Sequence, residues 1–101
     1  MAILHVTEYS HLAVDSGGHG IQAGMEPALE RQQVTFTTTN ESAAFKNDTS
    51  FVRVMSDTDA YITFGIGTVT ATTLTDTLIK ANVAEFFGVK SGLSYKIAAV
   101  T

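Results

Sequence analysis

The feature that most constrains this chain is period-two alternation of apolar and polar residues. Val34 and Phe36 alternate with Thr35 and Thr37, and Leu93, Tyr95, Ile97 and Ala99 alternate with Ser94, Lys96 and Ala98. Successive side chains of a strand point to opposite faces, so this is the pattern of a strand with one buried face. Gln33–Thr38 and Leu93–Ala99 are therefore predicted strands, joined by Ile3–Tyr9, where Leu4 and Val6 share a face, and Tyr61–Phe64. Phe51–Met55 carries large apolar residues on both faces, as a more central strand does.

Between these runs lie short turn signals: Ser16-Gly17-Gly18-His19-Gly20, Asn47-Asp48, Asp57-Thr58-Asp59, Gly65-Ile66-Gly67 and Ser91-Gly92. Their close spacing argues for an all-β sandwich or barrel and leaves no room for crossover helices. From Val69 to Lys80 the alternation fails, and a turn or bulge near Thr75-Asp76 is expected. At most one or two single helical turns are expected. One is at Glu26-Pro27-Ala28-Leu29-Glu30, and the other at Asn82–Glu85, where Asn and Glu stand at capping-box spacing before Gly88. The chain of 101 residues has room for one domain, residues 1–101, with no linker or repeat. The β-rich stretch 1–9 reads either as the first strand of the sandwich or as an edge strand or extended arm.

Function classes are narrowed mostly by what fails. Six Lys and Arg against ten Asp and Glu give a net charge of −4, and the cations are scattered singly, so no basic stripe tracks a phosphate backbone. Direct nucleic-acid binding is not expected. No apolar run reaches the roughly 18 residues that span a bilayer, and the N-terminus lacks a signal-peptide pattern, so no membrane association is expected. There is no cysteine, which excludes disulfides and thiolate metal sites.

No catalytic, cofactor-binding or metal-binding residue is assigned. His5, His11 and His19 are spaced by six and eight residues, unlike a compact ligand motif, and convergence of the three would depend on the fold. Asp15, Ser16 and His19 have the residue types of a hydrolase triad without its strand–turn–helix setting. Asp57-Thr58-Asp59 begins like a calcium loop but lacks the later Gly and Glu, and reads as a hairpin turn. Most of the nine aromatic residues fall where alternation buries them, although an exposed row of them could stack on sugar rings. No enzyme activity and no cofactor are expected.

One resemblance adds to this. Phe51-Val52-Arg53-Val54 leads to Asp57-Thr58-Asp59-Ala60-Tyr61-Ile62-Thr63-Phe64-Gly65. After these come Leu78-Ile79-Lys80-Ala81-Asn82-Val83-Ala84-Glu85-Phe86-Phe87-Gly88-Val89, Gly92, and Lys96-Ile97-Ala98-Ala99-Val100. Over roughly Phe45–Val100 this order resembles small virion proteins of tailed bacteriophages encoded among head genes, though without prolines at Gly67-Thr68 and Lys80-Ala81. The resemblance implies a β-sandwich or jelly-roll-like module on the capsid surface. Its role would be that of a decoration (cement) protein, with the major capsid protein as partner and a homo-oligomer, trimer or dimer, as the working form. The alternatives are a tail or head-fibre component, or a carbohydrate-binding module on the same scaffold.

Overall fold

The computed structural model describes residues 2–14 and 16–101, and it is all-β. Eight of its strands form two antiparallel four-stranded sheets. Sheet I has the order β4-β1-β6-β9, from Glu30–Phe36 (β4), Ala2–Tyr9 (β1), Phe51–Ser56 (β6) and Glu85–Gly88 (β9). Sheet II has the order β5-β10-β7-β8, from Asn40–Glu41 (β5), Tyr95–Val100 (β10), Ala60–Ile66 (β7) and Thr77–Ile79 (β8). A separate two-stranded ribbon pairs Leu12–Val14 (β2) with Gly20–Gly24 (β3).

Alternation decides which face goes inward. Leu4, Val6, Val34, Phe36, Val52 and Val54 of sheet I meet Ile62, Ile79, Ile97 and Ala99 of sheet II in one core. Fully burying a side chain of this size contributes about 1.5–3 kcal/mol, which makes these the main cohesive contacts. The two sheets are thus a β-sandwich built on the periodicity read from the sequence.

Setting the ribbon aside, the chain visits sheet I, II, I, II, II, I and II through β4, β5, β6, β7, β8, β9 and β10. The remaining place in sheet I, between β4 and β6, is filled by β1. This is jelly-roll pairing in which the closing strand is supplied from the N-terminal end of the chain. The ends lie accordingly at one corner: Ala2 pairs with Phe36, and Thr101 Oγ1 donates to the Thr37 carbonyl at 3.2 Å.

One open reading is decided and two expectations are corrected. Residues 2–9 are the first strand of the sandwich and neither an edge strand nor an arm, because β1 is hydrogen-bonded to β4 on one side and β6 on the other. Its buried positions Leu4, Val6 and Glu8 make it a central element of the sandwich. Asp57-Thr58-Asp59 is not a hairpin turn, since β6 and β7 belong to different sheets and the segment is a corner between them. Both of its carboxylates serve that corner: Ile3 N donates to Asp57 Oδ1 at 2.9 Å, and Ala81 N donates to Asp59 Oδ1 at 2.8 Å. Finally, Asn82–Glu85 forms no helical turn. Asn82 has a φ of 60°, and Glu85 opens β9, because Phe86 and Phe87 find cross-strand partners in Arg53 and Val52.

The expected irregularity near Thr75-Asp76 is a turn over Thr72–Asp76, closed by Thr72 N donating to Asp76 Oδ2 at 2.6 Å. Glu26–Leu29 is a bend leading into β4, with no helix. Among the described residues no helix is long and apolar enough to cross a membrane.

Candidate functional site

The outward faces of the two sheets are the surfaces a sandwich can offer to other molecules, and here they differ. On sheet II the outward positions include Glu41, Lys96, Ala98, Thr63 and Gly65, by their register across β5, β10 and β7. The β7–β8 connection, residues 67–76, lies back over this face as a strap. Val69 N donates to Glu41 Oε2 at 2.7 Å, and Ala71 N donates to Thr39 Oγ1 at 3.0 Å. A Cβ added to Gly65 would stand 3.2 Å from Val69 Cγ2, so glycine is what lets the strap sit this close. Ala71 and Ala98 are both buried yet take no part in the inter-sheet core, as expected of a second, small apolar layer beneath the strap.

Electrostatics hold the strap as well. The Val69 amide, helped by Lys96 Nζ at 3.3 Å, keeps the Glu41 carboxyl below its usual range. At the corner, the Ala81 amide and then Lys80 do the same for Asp59. Hydrogen bonds given to an ionised carboxylate favour that form, which is the cause in both cases.

Sheet I is covered at one end only. Its outward positions are Ile3, His5, Thr7 and Tyr9 on β1, Phe51, Arg53 and Met55 on β6, Arg31 and Gln33 on β4, and Phe86 on β9. The β2–β3 ribbon seats on Tyr9: a Cβ on Gly24 would fall 2.4 Å from the Tyr9 ring, and Tyr9 Oη donates to Glu26 Oε2 at 3.0 Å. Burial, with Glu26 beside it, pushes the Tyr9 phenol above its ordinary value. Beyond Tyr9 an aromatic row continues outward, Tyr9 stacked on Phe51 at 5.2 Å and Phe51 tilted against Phe86 at 6.2 Å. Between ribbon and β9 a cleft of about 330 Å³ is lined by Leu12, Ala23, Phe51 and Phe86. Phe86 is 54% exposed, whereas Tyr9 is 6% exposed, so the row presents its outer end and not its full length.

The rest of sheet I's outward face is open. A shallow cleft of about 380 Å³ runs over it, with His5, Thr7, Arg31, Gln33, Arg53 and Met55 in its lining. Arg31 and Arg53, far apart in sequence, both stand opposite Thr7 in register, one on each side of β1. This pairing of cations was not visible in the sequence, where the basic residues read as isolated.

One buried group also escaped the sequence reading. Glu8 has the same parity as Leu4 and Val6 and is fully buried. Its carboxylate accepts from Lys46 N at 2.7 Å, Thr49 Oγ1 at 2.8 Å and Gln32 Nε2 at 2.9 Å. It therefore pins the 42–50 crossing to sheet I, and the parity of residues 4, 6 and 8 was the available signal.

The histidines are not brought together as a ligand set. His5 lies on β1, while His11 and His19 lie at either end of the ribbon's strands, and no group of three or more metal-ligating residues occurs among the described residues. Of the Asp15, Ser16 and His19 set, Asp15 lies outside the described residues. Comparison with protein-family models, curated proteins and solved structures finds no match for this chain.

Proposed function

We propose that this protein is a structural component of a tailed-phage particle that docks on the capsid as a decoration protein, through the outward face of sheet I. The carrying observation is the asymmetry of the sandwich. One outward face is covered by the chain's own strap, while the other holds an exposed aromatic, two arginines and two clefts. A rigid jelly-roll with one uncovered face suits a role in which many copies each contribute a modest contact to a large shell. The Phe45–Val100 resemblance supplies the shell.

Particles purified from the virus that encodes this chain test the reading. Stoichiometric recovery of the protein with the shell, at hundreds of copies per particle (an order of magnitude set by multivalent coverage), is the expected result. Recovery only in the cytosolic fraction of infected cells would overturn it, and a handful of copies on the tail would reassign it to a tail component.

A further inference from the structure

Charge on the docking face is distributed in a way that points to the chemistry of its partner. The chain has ten acidic residues and a net charge of −4. None of the ten occupies an outward position on the strands of sheet I, by the register of its three strand pairs. Glu8, Glu30 and Glu85, which do belong to those strands, fall at the opposite parity. What the outward strand positions do hold is Arg31, Arg53 and His5, with the Thr7 hydroxyl and the Gln33 amide between them. Among the described residues, the carboxylate reaching these positions is Glu26, from the bend before β4, against Tyr9 and Arg31.

The state of the cations is uneven. Lys46, Lys80 and Lys96 each face a carboxylate at 3.2–3.6 Å, and Arg31 faces Glu26 at 3.4 Å. Arg53 and Lys90 make no ion pair with any described residue, and of these two only Arg53 is half-buried, in the middle of the sheet. A guanidinium offers five donors in a planar fork that matches a carboxylate, so Arg53 is a partly desolvated cation with its recognition geometry unused. With strands about 4.8 Å apart, Arg31 and Arg53 stand roughly 10 Å apart at their α-carbons. Two carboxylates on one side of an extended chain, about 6.6 Å apart at positions i and i+2, fall within reach of both side chains. Beside Arg53, the cleft lined by Leu12, Ala23, Phe51 and Phe86 offers an apolar socket.

We infer that the outward face of sheet I takes an extended acidic segment of a partner protein, its carboxylates on Arg53 and Arg31 and one apolar side chain in the Leu12–Phe86 cleft. This deepens the docking reading above and rests on it for the partner, the capsid subunit. The acidic character of this chain elsewhere works in the same direction, since repulsion would disfavour wrong orientations of an acidic partner on any other face.

Two measurements separate this inference from the virion reading. First, shells lacking the protein are re-decorated with wild type and with the double variant Arg31→Glu, Arg53→Glu, alongside Lys80→Glu at the corner between the sheets. The double variant is expected to lose affinity by about tenfold or more, with wild-type binding falling as salt rises and Lys80→Glu unchanged. Wild-type binding that ignores both salt and the double substitution would overturn the acidic-segment inference and leave the virion reading standing. Second, the free protein is titrated with a Glu-rich peptide carrying one Phe, and with its Lys-rich counterpart, while amide NMR shifts are followed. Shifts confined to His5, Thr7, Arg53 and Phe86 with the acidic peptide alone are expected, and they would support the inference even if shells failed to bind. No shifts, or shifts mapping to sheet II, would overturn it. Arg31→Gln with Arg53→Gln serves as the milder pair should charge reversal disturb folding, which the far-UV spectrum reports.

Discussion

The outward faces of sheets I and II are built on the same pleat, yet one is closed by its own chain and the other is left to the solvent. On sheet II the strap spends main-chain hydrogen bonds on the side chains of Glu41 in β5 and of Thr39 just before it, and puts small residues beneath itself. On sheet I the ribbon covers Tyr9 and stops, leaving Thr7, Arg53 and His5 beyond its reach. The difference teaches which residue types each arrangement takes. Small residues (Gly65, Ala98) lie beneath the strap on sheet II, and long polar or aromatic ones (Arg31, Arg53, Phe86) stand on sheet I beyond the ribbon. A face meant only to be solvated has no need of a central arginine without a carboxylate.

The largest break in this comparison should come from a group that serves both faces through the core. Glu8→Ala opens a cavity in the core and removes the acceptor of three donors, Thr49 Oγ1 in a buried bond and Lys46 N and Gln32 Nε2 in part-buried ones; a buried donor left without a partner costs about 1–3 kcal/mol. A loss on the order of 3 kcal/mol or more is expected in chemical denaturation, with both outward faces losing hydrogen-exchange protection together. Protection lost from one sheet alone would show that Glu8 is a local clasp and not a common support. A smaller effect, about 1–3 kcal/mol, is expected for Gly24→Ala, because its methyl would collide with the Tyr9 ring and lift the ribbon. Gly20→Ala on the same ribbon meets nothing within 4 Å and should stay within about 0.5 kcal/mol of wild type. Unchanged Tyr9 fluorescence in Gly24→Ala would mean the ribbon is not what seats on that face.

How much of this was readable beforehand follows from the physics of each element. Alternation at Val34/Phe36 and Ile97/Ala99 is local, so β4 and β10 were readable, and so was the turn where alternation failed before Asp76. The short strands β2, β3, β5, β8 and β9 were not, since two to five residues carry too little period to register. Local chemistry misled at Asn82–Glu85, where capping-box spacing favours a helix but the pairing of Phe87 with Val52 settles for a strand. It misled again at Asp57–Asp59, because the same turn residues suit a hairpin and a corner between sheets. The N-terminal stretch was open to an edge reading because centrality depends on partners 28 and 48 residues away, as in His5 opposite Gln33 and Val6 opposite Val54. The two cations of sheet I's outward face were hidden for the same reason. Arg31 and Arg53 are neighbours only across Thr7, a long-range fact that composition cannot carry.

The strap itself offers a finer test. Gly65→Val places a branched side chain where a Cβ already approaches Val69 Cγ2 to 3.2 Å, and a cost of about 1 kcal/mol with faster amide exchange at Val69 and Ala71 is expected. The smallest effect comes from acid. The folded-state pKa of Glu41 lies below its unfolded value, because the Val69 amide and Lys96 favour the carboxylate. Its contribution to stability is thus fully present above the unfolded pKa and is lost as pH falls through the lower, folded one. Lowering the pH from neutral into and below the carboxylate range should loosen the strap before it disturbs the core. The measurable sign is a rise in Val69 amide exchange, corrected for intrinsic acid dependence, that is absent at Thr7. Glu41→Gln should show the faster exchange already at neutral pH and lose the acid step. A Val69 amide whose protection ignores both acid and Glu41→Gln would mean that the strap is held by its apolar layer alone, and that the contrast between the two faces is one of packing without charge.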